Sequence, residues 1–392
     1  MTDGAQEPAT ARASLATVAR EWMRIGITGF GGPPAHIALL RRLVVDHYGW
    51  MDAREFEDAN AACGLLPGPA STQLAIFCAY RVAGAPGAIV GGLGFIVPAV
   101  VLVLTLSVVF LSNAPPLWVR GAGAGAGAAV AAVAVYAARR LLGPSFQRAR
   151  EDRARTAAWL GYLVAGIAAA ALIGPSLVLV LLGCGLLELA RRHRSSITAA
   201  VHWGSFGALA PAASAGGFGA LAWTALKVGA LSFGGGFVII PLMQGDAVHT
   251  YHWMTNSQFL NAVALGQVTP GPVVATVAAV GYGAHGLTGG VLAAAVAFTP
   301  SFSFILLGGG SFEHMRDSKH ARAFLDGAGP AAIGAILGAA ITLAGALSQA
   351  WQFAVLAAAA IALLALRRGV VQTLLAAGVI GAIVALAGGP VP

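Results

Sequence analysis

The chain has 392 residues, of which 58% are hydrophobic and 10% are charged, and its mean hydropathy is +0.79. Soluble globular proteins are roughly 45–50% apolar and about 25% charged, so this composition excludes a water-soluble enzyme, a nucleic-acid-binding protein and a disordered chain. At about 20 residues per span, the apolar residues allow at most roughly 11 membrane crossings. The net charge of +8 is explained by Lys and Arg in short loops that orient membrane spans, rather than by an anionic polymer.

Glycine and proline are also in excess, with 53 and 19 residues. In membrane proteins, glycine lets helix backbones approach closely, and both residues occur where helices are interrupted. The predicted fold class is therefore an all-α polytopic membrane protein with broken helices. Residues 1–13 are predicted to form a disordered tail. Cys63, Cys78 and Cys184 have neither metal-ligand nor disulfide spacing, so we expect no metal and no other cofactor.

Apolar segments follow one another along the chain. They cover 13–31, 60–83, 87–112, 117–138, 156–173, 175–190, 214–240, 257–284, 287–310, 323–347, 351–366 and 370–388. Several of them are too short or too interrupted to be plain spans. The stretch 33–58 is rich in charged residues, which predicts an interfacial or partly polar helix rather than a crossing.

Positive charges cluster in four loops, at 139–155, 191–194, 313–322 and 367–368. The positive-inside rule places all four loops in the cytoplasm. The segments 156–190 and 323–366 are then hairpins that leave and return. The last segment crosses once more, which puts Pro392 outside.

The sequence matches itself without gaps when it is shifted by 203 residues. The coinciding residues are Gly26 with Gly229, Phe30-Gly31-Gly32 with Phe233-Gly234-Gly235, Trp50-Met51 with Trp253-Met254, Phe56 with Phe259, Pro67-Gly68-Pro69 with Pro270-Gly271-Pro272, Gly87 with Gly290, and Phe95 with Phe298. One shift maintained over so many positions indicates two related halves.

We expect the first repeat at 14–140, a connecting helical hairpin at 141–214, the second repeat at 215–347 and a C-terminal hairpin at 348–392. The repeats are predicted to be inverted, because the loop after segment 87–112 is uncharged and the equivalent loop of the second half is basic. Inverted repeats with interrupted helices are typical of secondary transporters, whose site lies near the membrane midplane. We expect access to alternate as one half rocks against the other.

Phe-Gly-Gly and Pro-Gly-Pro interrupt apolar segments in both halves. A single motif of this kind is more often a packing kink, but four breaks in two symmetric pairs favour a binding site lined by backbone groups. Pro67-Gly68-Pro69 predicts a half-helix that begins near Pro69 or Ala70, with Ser71 and Thr72 in its first turn. Thr269-Pro270-Gly271-Pro272 predicts a second half-helix, with Thr276 one turn in.

Two further helices are predicted to start after Gly31-Gly32-Pro33-Pro34 and after Gly234-Gly235-Gly236. Helix N-termini carry partial positive charge and unpaired N–H groups, which suit an oxyanion. Four such termini converging on one point would stabilise a dianion without a metal ion.

Arg24 and Lys227 are equivalent under the shift, and each lies in an apolar segment six or seven residues before a Phe-Gly-Gly break. An ionisable residue inside a span suggests function, although snorkelling to the interface is the alternative. Arg81 has Ala284 as its equivalent and is interpreted as an interface anchor. His36 follows the first break by one turn and either reaches the site or packs in the core.

Candidate acids for proton coupling are Glu21, Asp46, Asp58, Asp246 and Asp326. None of them has a distinctive sequence context. The run Gly121–Gly127 alternates glycine with alanine, which predicts close helix packing between the halves or between subunits of a homodimer. It does not match a phosphate-binding loop, because no Lys-Ser/Thr follows it.

The sequence resembles the chromate transporter (CHR) family in its long, two-domain form. The matching residues are Gly29-Phe30-Gly31-Gly32-Pro33-Pro34-Ala35-His36, Leu65-Leu66-Pro67-Gly68-Pro69, Phe233-Gly234-Gly235-Gly236 and Thr269-Pro270-Gly271-Pro272. The resemblance implies export of chromate across the bacterial inner membrane, chromate resistance, and coupling to the proton gradient as an antiporter. It also implies sulfate as a structural analogue of the substrate.

The predicted function is therefore secondary transport of a tetrahedral dianion between broken helices. Ser71, Thr72 and backbone N–H groups near Gly31, Gly68, Gly234 and Gly271 would hold its oxygens, and Arg24 and Lys227 would supply countercharge. Three alternatives stay open. They are a transporter for sulfate or another anion, an anion channel, and a membrane enzyme, the last without any haem, flavin or cysteine-pair pattern in its favour.

Overall fold

The computed structural model describes residues 13–112, 114–173, 177–192, 216–232, 237–308 and 318–392. These residues form helices joined by turns, as the sequence predicts. Five helices are long and apolar enough to cross a membrane. Exposed leucine, isoleucine and valine side chains on their outer faces, such as Leu93, Val97 and Val101 on one helix, suit contact with lipid.

The first half contributes seven α-helices among the described residues. They are α1 (Leu15–Thr28), α2 (Pro33–Arg41), α3 (Ala53–Cys63), α4 (Ala70–Phe110), α5 (Leu117–Ala149), α6 (Arg153–Ala168) and α7 (Leu177–Arg192). A π-helical turn, Arg42–His47, continues α2. The polar stretch 33–58 is thus several short elements, not one interfacial helix.

The second half repeats this order. Its helices are α8 (Phe218–Leu231), α9 (Ile239–Gln244), α10 (Asn256–Val268), α11 (Thr276–Gly308), α12 (Lys319–Gly345), α13 (Ala350–Ala360) and α14 (Val370–Leu386). The repeat extends to local detail: a π-helical turn, Gly245–Thr250, continues α9. Asp52 caps α3 through the N–H of Glu55, and Thr255 caps α10 through the N–H of Gln258.

Helices α4 and α11 are sharply bent where their backbones leave the helical region. Ala83 and Gly84 have φ, ψ of −141°, 21° and 67°, −161°. Beyond the bend the chain turns back on itself, because a Cβ added at Gly87 would lie 2.5 Å from the Ala79 carbonyl oxygen. Each of these helices is therefore a short arm that starts at Pro-Gly-Pro and a long arm that spans the membrane.

The bend corrects the repeat alignment by one residue. His285 and Gly286 of α11 have φ, ψ of −143°, 31° and 63°, −152°, which match Ala83 and Gly84 at a shift of 202. The shift is 203 as far as Pro-Gly-Pro and becomes 202 between Pro272 and the bend. Consequently Gly87 corresponds to Gly289 and not to Gly290.

The long arms of α4 and α11 pack antiparallel to each other. Gly92 lies against Phe302, and Leu104 lies against Gly290. Residue numbers therefore increase along one arm in the direction in which they decrease along the other. Equivalent helices that run in opposite directions require the two repeats to be inverted, as the loop charges predict.

The basic loops meet at one end of the molecule, which we call the basic end. Arg148 of α5 and Arg192 of α7 both pair with Asp326 of α12, at 3.4 and 2.9 Å. Arg139 donates to the Leu364 carbonyl near the last basic loop. At the opposite end, Arg120 donates to the carbonyl oxygen of Pro392. The chain therefore ends on the face opposite the basic loops.

The helices divide into two bodies that each combine parts of both repeats. We group α1–α4 with α8–α11 as the core body and α5–α7 with α12–α14 as the scaffold. Helix α10 joins the two, because its Asn261 and Leu260 pack against Gly123 and Gly127 of α5. Within the scaffold the hairpins are exchanged, because α6 and α7 pack on α12, whereas α13 and α14 pack on α5. The Gly121–Gly127 run makes this exchange possible, since Gly121 and Gly125 bring the backbone of α5 against Gly381 of α14.

We predict that Gly125→Ala destabilises the protein. The added Cβ would overlap the Ala377 carbonyl of α14, and overpacking of this kind costs about 1–3 kcal/mol. The matched control is Gly161→Ala on α6, where nothing lies within 4 Å. The midpoint of thermal unfolding in detergent should fall for the first variant and not for the second. Equal midpoints would contradict the packing of α5 on α14.

Candidate functional site

Each repeat has two helix breaks, and the described breaks contact the other repeat. The first break separates α1 from α2 at 29–32. Its Gly29 carbonyl accepts a hydrogen bond from the N–H of Gly271, in the second Pro-Gly-Pro, at 3.1 Å. Peptide groups released by the breaks are thus partly satisfied across the boundary between the repeats.

The first Pro-Gly-Pro makes the reciprocal contact. A Cβ added at Gly68 would lie 3.0 Å from the carbonyl oxygen of Gly229 on α8. Gly68 has φ +116° and Gly271 has φ +93°, a region that favours glycine. The two Pro-Gly-Pro tips therefore form similar turns, and each contacts the backbone of the other repeat.

His36 of α2 joins two breaks within the first repeat. Its Nε2 lies 2.9 Å from the Gly29 carbonyl and its Nδ1 lies 3.4 Å from Ser71 Oγ. The ring is fully buried and meets Phe95 edge-on at 5.0 Å. His36 thus lies among the predicted site residues as a link between the breaks.

Helix α4 begins at Ala70 with Pro69 as its N-cap, where the sequence places the half-helix. The first N–H groups of a helix lack a partner in a preceding turn. In α4 the N–H groups of Thr72 and Gln73 donate to the Pro69 carbonyl at 2.9 and 3.0 Å, which leaves those of Ala70 and Ser71. Thr72 Oγ1 is buried and has no hydrogen-bond partner. A buried hydroxyl without a partner is costly unless something else binds it.

The second half-helix starts later than the sequence suggests. After Pro270-Gly271-Pro272 the chain forms a short 3₁₀ turn, Val273–Ala275, and α11 starts at Thr276. The hydroxyls of Thr276 and Thr269 donate to the carbonyls of Val273 and Gly266. The Gly271 N–H is also engaged, so this half offers fewer free donors than the first.

More polar side chains line the core body without partners. The buried atoms concerned are Gln73 Oε1, Ser232 Oγ, Gln267 Nε2 and Ser301 Oγ. Gln73 also donates through Nε2 to the Pro67 carbonyl at 2.8 Å. Sequence motifs miss Gln73, Gln267 and Ser301, because nothing but burial sets them apart.

Gly31 and Gly32, with φ +106° and +72°, form the turn before α2. The Gly32 carbonyl accepts from the N–H groups of Ala35 and His36. A Cβ at Gly32 would lie 3.9 Å from Val273 in the other repeat. The predicted site residues Gly234 and Gly235 lie outside the described part of the chain.

Arg24 lies away from the breaks. Helix α1 turns Val18, Trp22 and Ile25 inward, and Arg24 falls on the opposite, exposed face beside exposed Ile27. The countercharge assigned to Arg24 therefore has no counterpart in the structure, because helical periodicity points its side chain outward.

Lys227 is in a different environment from Arg24. Its Nζ lies 2.5 Å from Asp246 Oδ2, and the side chains are 11% and 3% exposed. Thr224 Oγ1 donates to the same carboxylate oxygen at 2.6 Å. Lys227 is thus neutralised inside the core body, and Asp246 is a charged residue that sequence context alone did not single out.

A cavity of about 520 Å³ leads inward from the basic end. Gly64 and Leu65, next to the first Pro-Gly-Pro, line its core side. Arg148, Arg322 and Asp326 line its scaffold side. The cavity therefore follows the boundary between the two bodies and connects the basic end with a break.

Inverted repeats, breaks buried at their junction and a cavity between two bodies define a polytopic membrane transporter. The chromate transporter family matches residues 16–189 and 219–383. The chain therefore belongs to the chromate transporter family, which is a family of transporters and not of enzymes. Each matched segment includes a helical hairpin that the sequence had placed outside the repeat, α6–α7 or α13–α14.

Similar proteins cover most of the chain. It is 31% identical to the chromate transport protein of Cupriavidus metallidurans, over 82% of this chain and 81% of that one. It is 31% identical to the chromate transport protein of Pseudomonas aeruginosa, over 88% and 84%. A probable chromate transport protein of Synechococcus elongatus is 28% identical over 84% of each chain. No solved structure matches the chain.

We predict that Gly271→Ala abolishes transport while Gly286→Ala retains it. Both glycines have positive φ, so each substitution carries a similar conformational cost of roughly 1–2 kcal/mol. A Cβ at Gly271 would lie 2.7 Å from Ala99 Cβ, whereas nothing lies within 4 Å of one at Gly286. Chromate flux, corrected for the amount of folded protein, separates the two. Similar flux in both variants would show that contact at the breaks is unimportant.

Proposed function

We propose that the protein exports chromate from the cytoplasm of a bacterial cell, driven by the electrochemical gradient across the inner membrane, and thereby confers chromate resistance. The observation that carries the proposal is the junction of the broken helices. At this junction the glycine turns, the N-terminus of α4 and the unpartnered hydroxyl of Thr72 lie inside an apolar core.

The junction suits a tetrahedral dianion. The N–H groups of Ala70 and Ser71 at the start of α4, and the positive end of its dipole, favour an oxyanion. The hydroxyl of Thr72, which has no partner in the protein, is available to donate to an anion oxygen. Ser71 lies one residue earlier, within reach of His36. In a site that excludes water, each such donor stabilises an anion more strongly than it would in solution.

The basic end is proposed to face the cytoplasm, in accordance with the positive-inside rule. The C-terminus, held by Arg120 at the opposite end, would then lie outside. The cavity at the basic end opens the first Pro-Gly-Pro to the cytoplasm, and Arg148 and Arg322 on its wall attract anions. This arrangement corresponds to a transporter open on the side from which an exported anion enters.

Alternating access is proposed to occur between the two bodies rather than between the two repeats. Rocking of one repeat against the other would pull the Gly29–Gly271 contact apart and detach the exchanged hairpins. Motion of the core body against the scaffold preserves both sets of contacts and requires α10 to slide on α5, where Asn261 and Leu260 lie against Gly123 and Gly127. The homodimer suggested by the Gly121–Gly127 run needs other support, because α14 occupies that face of α5.

The closest competing function is transport of sulfate or another oxyanion, with chromate carried incidentally. An anion channel is a second alternative, because a channel would also use helix N-termini. Reconstitution of the purified protein in liposomes, with labelled chromate and labelled sulfate, tests all three. Chromate flux that accumulates substrate and responds to an imposed pH gradient supports the proposal. Preferential sulfate flux favours the first alternative, and flux that never exceeds equilibrium favours a channel.

We predict that Thr72→Val lowers chromate flux at least about tenfold, which corresponds to loss of one strong hydrogen bond of roughly 1.5–3 kcal/mol to an anion. Because the Thr72 hydroxyl has no protein partner, stability should not fall. The control is Ser107→Ala, whose hydroxyl donates to the Val103 carbonyl of its own helix. Wild-type flux in Thr72→Val would remove this hydroxyl from the anion site.

A further inference from the structure

The Lys227–Asp246 pair lies in an apolar environment, where an ion pair is costly to bury. Two charges taken out of water cost several kcal/mol each, and their attraction repays this only with close geometry and further hydrogen bonds. The 2.5 Å contact and the Thr224 hydroxyl supply both. The Lys227 ammonium also lies 5.9 Å from the ring centre of Trp223. Ionisable residues held at such positions mark ion and proton pathways in transporters.

Lys227 is the charged side chain that faces Asp246 from the described helices packed around it. Helices α9 and α10, which contact the π-helical turn of Asp246, contain no ionisable residue. Helix α8 contains Lys227 alone. On α11, His285 lies beside the first residue of α8, far from the pair. On the turn itself, His249 is exposed, and the adjoining Tyr251 donates its backbone N–H to the Asp246 carbonyl.

The pair lies near the helix break at the end of α8. Lys227 lies about one turn before Leu231, where α8 ends, and the hydroxyl of the next residue, Ser232, is buried without a partner. A lysine side chain is a compact charge on a flexible four-carbon stem. Rotation of that stem, without movement of α8, would turn the ammonium from Asp246 toward an anion at the break.

We infer that Asp246 is the proton-binding residue of the transport cycle and that its carboxylate and the substrate anion compete for the Lys227 ammonium. This rests on the proposed function, which places an anion at the breaks. When the anion binds, the ammonium leaves Asp246, and the carboxylate oxygen takes one proton from water. When the anion leaves, the ammonium returns to Asp246 and the acid releases that proton. Lys227 keeps its own three protons throughout.

The pair also determines the direction of proton movement. The anion-bound state is the protonated state, so the anion and the proton cross the membrane together and not in exchange. A dianion exported with one proton carries one net negative charge outward, which an inside-negative membrane potential favours. This replaces the antiport that the family resemblance implies.

Proton uptake on anion binding tests this directly. The full-length protein in detergent is titrated with sulfate by calorimetry in buffers that differ in ionisation enthalpy, which counts the protons taken up per anion bound. We expect one proton for the wild type. Asp246→Asn should bind sulfate with no proton uptake, because the neutral amide leaves Lys227 free and cannot be protonated. Wild-type uptake in Asp246→Asn, or wild-type binding without uptake, would overturn the inference.

Two variants complete the experiment. Glu21→Gln removes the largely buried carboxylate that Tyr48 and Arg20 contact in the first repeat, and it should keep the wild-type proton count. Loss of proton uptake in this variant would move the proton site to Glu21 and contradict the inference.

Thr224→Val keeps the ion pair and removes one hydrogen-bond donor to the Asp246 carboxylate. Because lost donors favour the neutral acid, its uptake should move to higher pH, and an unchanged profile would contradict the inference even if Asp246→Asn fails to fold. A wild-type protein that binds no sulfate and transports neither sulfate nor chromate would instead refute the proposed function.

Discussion

The structure depends on one constraint: a helix broken inside a membrane exposes peptide groups that lipid cannot satisfy. Here the other repeat satisfies part of them, as when the Gly271 N–H donates to the Gly29 carbonyl. The tight turns at Gly68 and Gly271 bring each Pro-Gly-Pro tip against the backbone of the other repeat. Peptide groups and hydroxyls that the junction leaves unsatisfied are the ones available to an anion. The helix breaks therefore account for both the fold and the proposed anion site.

The same constraint explains the division into a core body and a scaffold. Breaks that satisfy each other across the repeats must stay together, which joins α1–α4 to α8–α11. The remaining helices are tied together by exchanged hairpins, through glycine contacts such as Gly125 with Gly381. The cavity between Leu65 and Arg148 lies along the boundary that these two sets of contacts leave. In the proposed mechanism the substrate moves with the core body.

Much of this arrangement can be predicted from the sequence, because helix breaks and charged loops have strong local sequence signals. Pro69 as a helix start, the inversion, and the basic end all follow from residue type and charge. The one-residue change of shift does not, because it is visible only in the backbone angles at the two bends. The different positions of Arg24 and Lys227 do not follow either. Arg24 points outward because of its position on the face of α1, whereas Lys227 is held inside by the Asp246 carboxylate, nineteen residues further along the chain.

The central claim is that the anion binds where the broken helices of the two repeats meet. A structure of the full-length protein with bound chromate, located by the anomalous scattering of chromium, tests it most directly. The account predicts a chromium peak beside the first turn of α4 at Ser71 and Thr72, facing Pro270-Gly271-Pro272. A chromium peak found elsewhere, for example only between Arg148 and Arg322 in the cavity at the basic end, would contradict it.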